Sequence, residues 1–261
     1  MTLPCIGPEY RQALGEDKTK FTIFDIMADD LADNFVTRSR FLLEDFVRIP
    51  WHNALEKNDY VNVGRAIWDD YVGSVQKYPR YKELEGIFYF DLRQVLSSIE
   101  YGSLVNTFGM DNQFEMSQHS PYGCAVILLV DMDLMCMPNF DLKELGTMRS
   151  ISYLAQKVAH IANTLGTYPR EVLEKDMSSP IISLAMRKGI ITKSELGDRT
   201  VLQKLKHLEW VFRSRAFSYL EKIATYEKQV HSVNLRGFSL MVGDLVARWQ
   251  TSTEASVSIE A

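Results

Sequence analysis

Apolar residues return at helical spacing along most of the chain, and this pattern leaves little room for strands. Phe21, Phe24, Met27, Leu31, Phe35, Leu42 and Phe46 would share one face of a helix over 21–48. The same reading predicts helices over 63–77, 82–107, 121–137, 142–166, 178–190, 194–226 and 229–250. Their expected ends carry the right residues: Tyr78-Pro79-Arg80, Gly109, Pro121, Pro138-Asn139, Asp141 as an N-cap and Gly189 as a C-cap. Breakers are scarce, with 14 glycines and 8 prolines in 261 residues. No segment alternates as a strand does, and no glycine-rich phosphate loop follows one. The expected fold class is all-α, an antiparallel helical bundle. No linker is visible, so one domain over 1–261 is expected, with a short N-terminal segment at 1–19 and a frayed tail at 251–261.

Composition excludes several classes. At 46% hydrophobic and 24% charged, the chain can bury a core and does not read as disordered. The net charge is −5, which gives no basic footprint for nucleic acid. Cys5, Cys124 and Cys136 form no CxxC pair, so neither a disulfide framework nor a structural zinc site is expected, and a reducing cytoplasmic setting fits. No leader is visible at the start. The longest apolar run, 124–130, is too short to span a bilayer.

Two clusters carry chemistry. Asp25, Asp29, Asp30 and Asp33 put four carboxylates within nine residues of an otherwise apolar helix, and steps of four align Asp25, Asp29 and Asp33. Such neighbours repel, so the cluster is either a solvated acidic face or a site for a hard divalent cation. Much later, Asn163, Thr167 and Glu171 follow at i, i+4 and i+8. One helix can aim their amide, hydroxyl and carboxylate oxygens at a common point, with Arg170 beside them for a phosphate. The competing reading is a helix end that unravels through Gly166 and Pro169.

Together, in this order, the clusters resemble the two metal motifs of class I terpene synthases (terpene cyclases). Asp29-Asp30-Leu-Ala-Asp33 matches the family's DDxxD motif, and Asn163, Thr167 and Glu171 match its Asn-x-x-x-Ser/Thr-x-x-x-Glu motif. The resemblance covers roughly 20–250. It implies a helical fold, a prenyl diphosphate substrate (farnesyl or geranylgeranyl diphosphate) and three Mg²⁺ ions that trigger loss of diphosphate to give a terpene. Asp29 and Asp33 would then hold metal with Asp30 in support. Asn163, Thr167 and Glu171 would hold the third ion.

Arg170 and Arg248 would meet the diphosphate; Arg248-Trp249 stands where the family has Arg-Tyr. His119 stands in the region of the family's arginine sensor, and Gly123 marks its helix break. The aromatic candidates for the cavity wall are Phe21, Phe24, Tyr101, Phe114 and Tyr122. The first motif arrives near residue 25, ahead of where the family places it, so part of the pocket wall is either absent or supplied by a partner chain, the second case being a homodimer. A prenyltransferase joining two isoprenoid units and a non-catalytic isoprenoid-binding protein are the alternatives. The related chain-elongating enzymes carry a second DDxxD, which Asn163-Thr-Leu-Gly-Thr167 does not match.

Overall fold

The computed structural model describes residues 2–34, 36–52, 58–110 and 112–259, with side chains described as far as 247. Among the described residues every regular element is helical. Helix α1 (Pro8–Ala32) starts on Pro8, whose missing N–H costs nothing in the first turn. Residues 8–19 are thus the front half of α1 and not a separate segment. The helix predicted over 21–48 is two helices, because Asp33 and Asn34 favour local turns over helix interior. Ser39 then caps α2 (Arg40–Phe46) by accepting the Leu42 N–H. Phe35, counted in that predicted helix, lies outside the described residues.

Asn58 accepts the N–H groups of Tyr60 and Val61 and so opens α3 (Asp59–Val75) earlier than expected. Helix α4 (Tyr81–Phe108) closes on Gly109 at φ 64°, a conformation glycine adopts without strain. The helix predicted over 121–137 is interrupted. A short α5 (Gln113–His119) runs into a 3₁₀ turn at Ser120–Cys124, and Ala125 at φ 51° redirects the chain into α6 (Val126–Met135). Helix α7 (Leu145–Glu174) runs straight on through Gly166 and Pro169, well past its predicted end at 166. It is followed by α8 (Pro180–Arg187), α9 (Val201–Lys206), α10 (Glu209–Ala224) and α11 (Leu235–Ile259). The single helix predicted over 194–226 is therefore divided, and the tail expected to fray from Thr251 continues α11.

Packing follows the apolar faces. Helix α1 lies on α3 and α4, α4 on α6, α6 on α7, and α7 on both α10 and α11. Helix α6 is buried nearly all round, which marks it as the central element. Its two carboxylates, Asp131 and Asp133, are buried with it. Asp133 accepts from the Lys18 ammonium at 2.6 Å and the Leu3 N–H at 2.8 Å, which ties the N-terminal segment to the core. Asp131 lies 4.0 Å from Arg149, which grips Asp91 with both guanidinium nitrogens and so links α7 to α4. Buried charges persist only when paired in this way.

Phe21 and Phe24 belong to the same core. Phe21 packs on Tyr71 (ring centroids 5.5 Å apart), and Phe24 on Phe46 (4.8 Å) and Trp68 (5.3 Å). They join α1, α2 and α3, and neither lines a cavity. Cavity aromatics and core aromatics share the same helical spacing, so the sequence does not separate them.

Candidate functional site

Four parts of the chain meet around one cleft of about 120 Å³: the C-terminal turn of α1, the middle of α4, the 3₁₀ turn after α5, and the C-terminal half of α7 with the segment that follows it. Asp29 enters from α1 and Asp33 from its C-terminal cap, and Asn163, Arg170 and Glu171 enter from α7. The two clusters, some 130 residues apart in sequence, thus face one space. The predicted helix had to continue through Pro169 for this to happen, because Arg170 and Glu171 lie on its last turns. Ser98 and Gly102 of α4, then Ser120, Gly123 and Cys124, complete the wall. Gly123 donates its N–H to Ser98 Oγ at 3.0 Å, which fixes the 3₁₀ turn against α4.

The cleft is strongly acidic. Burial, followed by repulsion from Asp176 and Asp30, lifts Asp29 to about 6. Burial and the charges of Asp29, Asp176 and Glu171 lift Asp33 to about 9, against the pull of Arg170. Glu171 is pushed up to about 8 by burial and by Asp176, with Thr167, Ser179 and Arg170 opposing. Its side chain is 8% exposed, and its Oε2 accepts no hydrogen bond. Asp25 lies one turn back on α1 with a buried, unpaired Oδ1, and burial together with Asp29 holds its carboxyl well above the usual range. Cys124 is raised to about 12 by burial, then by Asp25 and Asp29, so it stays an inert thiol. Arg170 is half exposed at the rim and leans on Glu174 at 3.6 Å.

The remaining expected site residues divide sharply. Thr167 donates to the Asn163 carbonyl at 2.8 Å and also contacts the Glu171 carboxylate, so it braces that acid and does not line the cleft. Asp30 does not line it either; its charge is felt by the Tyr60 phenol on α3. His119 is exposed at the end of α5, with its ring 5.1 Å from that of Tyr101, so it stacks on an aromatic neighbour away from the cleft. Tyr101 is buried and Tyr122 stacks on Tyr153 at 5.5 Å, while Phe114 is 75% exposed. None of these three is a cleft wall. Arg248 and Trp249 fall on α11, where their side chains lie outside the described residues.

Of the cleft residues that sequence reasoning missed, His160 and Asp176 bear most on its chemistry. His160 lies one turn before Asn163 on α7, and burial lowers it to about 4, so it is neutral near pH 7. Helical spacing from Asn163 was the signal that could have found it. Asp176 follows α7 outside any periodic pattern, and no local signal pointed to it. Beyond His160 and Pro180 the cleft adjoins a second, smaller and mainly apolar pocket whose wall includes Met116, Ile161, Phe212 and Tyr219 together with the cationic Lys157 and Arg215.

The donor set suits a hard cation. It consists of carboxylate, amide and hydroxyl oxygens, with the buried Glu171 Oε2 and Ser179 Oγ unpaired and several acids forced toward their neutral forms. Among the described residues no three His, Cys, Asp or Glu side chains already stand as a complete ligand set. Mg²⁺ asks for less, taking one or two carboxylates and filling its shell with water and substrate phosphate. Comparison with family models, curated proteins and solved structures finds no match to this chain. Among the described residues no helix is long and apolar enough to cross a membrane.

Proposed function

We propose that the protein is a Mg²⁺-dependent class I terpene synthase that ionises a prenyl diphosphate. One observation carries this reading: Asp29 on α1 and Asp33 at its C-terminal cap face Asn163, Arg170 and Glu171 on α7 across a single cleft. Asp29 and Asp33 hold metal from one side, and Asn163 and Glu171 from the other. Bound Mg²⁺ supplies positive charge that offsets the departing diphosphate. Arg170 at the rim contacts the diphosphate, and Thr167 fixes the Glu171 carboxylate in place.

The hydrocarbon chain needs an apolar, water-excluding surface, because a developing allylic cation is quenched by water. The pocket beyond His160 offers a mainly apolar wall that includes Phe212 and Tyr219, with Lys157 5.5 Å from the Tyr219 ring centre and Arg215 5.8 Å from that of Phe212. These residues replace Phe21, Phe24, Tyr101, Phe114 and Tyr122 as the proposed wall. His160 at the junction is itself neutral near pH 7, because burial lowers it to about 4.

The test is diphosphate release with Mg²⁺, offering ten-, fifteen- and twenty-carbon prenyl diphosphates separately and analysing the organic extract. The reading predicts release that stops on chelation and yields a hydrocarbon or terpene alcohol. A product carrying two carbon chains would identify a prenyltransferase instead. Binding of substrate without release would identify a non-catalytic isoprenoid-binding protein.

A further inference from the structure

Asp176 belongs to neither cluster, yet it lines the cleft at 4% exposure. Its Oδ1 accepts three hydrogen bonds: from Asn106 Nδ2 at 2.9 Å, from the Ser178 N–H at 2.8 Å and from Ser178 Oγ at 2.6 Å. Asn106 in turn accepts the Met177 N–H at 2.8 Å. The group is thus pinned between α4 and the segment leaving α7 through Oδ1, and among the described residues none donates to its Oδ2.

If Asp176 only capped this turn, asparagine would serve as well, because it offers the same acceptor without charge. The carboxylate instead adds a negative charge that Asp29, Asp33 and Glu171 all feel. A buried charge among like charges is costly unless something neutralises it. A second, separate observation points to the same missing partner: Glu171, 8% exposed and on the same cleft, has an Oε2 with no hydrogen bond.

We infer that Asp176 is a further cation-holding carboxylate of this cleft, acting with Glu171 to join α7 to the segment that follows it. This rests on the metal-dependent reading above. The pinned Oδ1 sets the direction of the group, and the unbonded Oδ2 is the ligand oxygen. A rigid carboxylate of this kind binds without first losing freedom, which favours affinity.

The test measures Mn²⁺ binding by electron paramagnetic resonance, with inorganic diphosphate present, on the full chain. Asp176→Asn keeps the Oδ1 acceptor and removes only the charged oxygen. The inference predicts at least about tenfold weaker Mn²⁺ binding, with the metal-free melting temperature equal to or above that of the wild type. Unchanged Mn²⁺ affinity in Asp176→Asn, while Asp33→Asn weakens it, overturns this inference alone. No Mn²⁺ binding by the wild type overturns it together with the metal-dependent reading. Should Asp176→Asn fail to fold, Asp176→Glu keeps the charge but moves the oxygens. Its Mn²⁺ affinity must then change several-fold, and an unchanged value again overturns the inference.

Discussion

Glu171 concentrates the chemistry of the cleft in one side chain: buried, short of one hydrogen-bond partner, and pushed toward neutrality by acids around it. Glu171→Gln and Asn163→Ala should each lower Mg²⁺-dependent turnover by more than about a hundredfold while the helical circular dichroism stays the same. Normal turnover in both would remove the α7 side of the site. Phe24 has the opposite character. It is 0% exposed between Phe46 and Trp68, so Phe24→Ala should cost about 3–5 kcal/mol in denaturant unfolding and leave Mn²⁺ affinity per folded molecule unchanged. The contrast shows what was legible in the sequence. Asp29, Asp33, Asn163 and Glu171 stood out because oxygen ligands repeated at helical steps where a core residue was expected. Phe24 and Tyr122 were misplaced because an aromatic ring at helical spacing looks the same facing a core or a cavity.

Among the elements, α7 matters most. Pro169 removes one backbone donor from it, yet the helix continues to Glu174 and delivers Arg170 and Glu171 to the cleft. Sequence reasoning expected an end near 166, because breakers are scored locally while packing against α10 and α11 acts along the whole length. The division of 21–48 into α1 and α2 was likewise hidden, since the apolar spacing resumes after the turn. The position of α10 was not legible at all. Only the folded chain brings Phe212 and Tyr219 beside Ile161 of α7. If that pocket takes the hydrocarbon chain, Tyr219→Ala should shift the ratio of kcat/KM several-fold toward the twenty-carbon over the fifteen-carbon substrate. An unchanged ratio places the chain elsewhere.

At the scale of the molecule, an all-helical frame carries a negatively charged cleft that the fold alone does not neutralise. Glu171 near 8 and Asp33 near 9 both lie above their ordinary values of 4.5 and 3.8. The folded chain therefore keeps protons that the unfolded chain has already released, and metal-free stability falls as pH rises toward 9. His160 acts in the other direction, but only between its folded value of about 4 and its ordinary 6.5. From pH 6.5 to 9 the acids dominate the site. The melting temperature in chelator should fall across that window, and Mg²⁺ should restore more of it at pH 9 than at pH 6.5. A flat or rising profile in chelator would contradict the burial of these acids.

The central claim is that α1 and α7 act on one metal-bound diphosphate. Calorimetric titration of inorganic diphosphate with and without Mg²⁺ tests it most directly, on the wild type, Asp33→Asn and Glu171→Gln. Binding should require Mg²⁺ and weaken at least about tenfold with either substitution, one at the end of α1 and one on α7. Binding that ignores Mg²⁺, or that survives both substitutions unchanged, would contradict it.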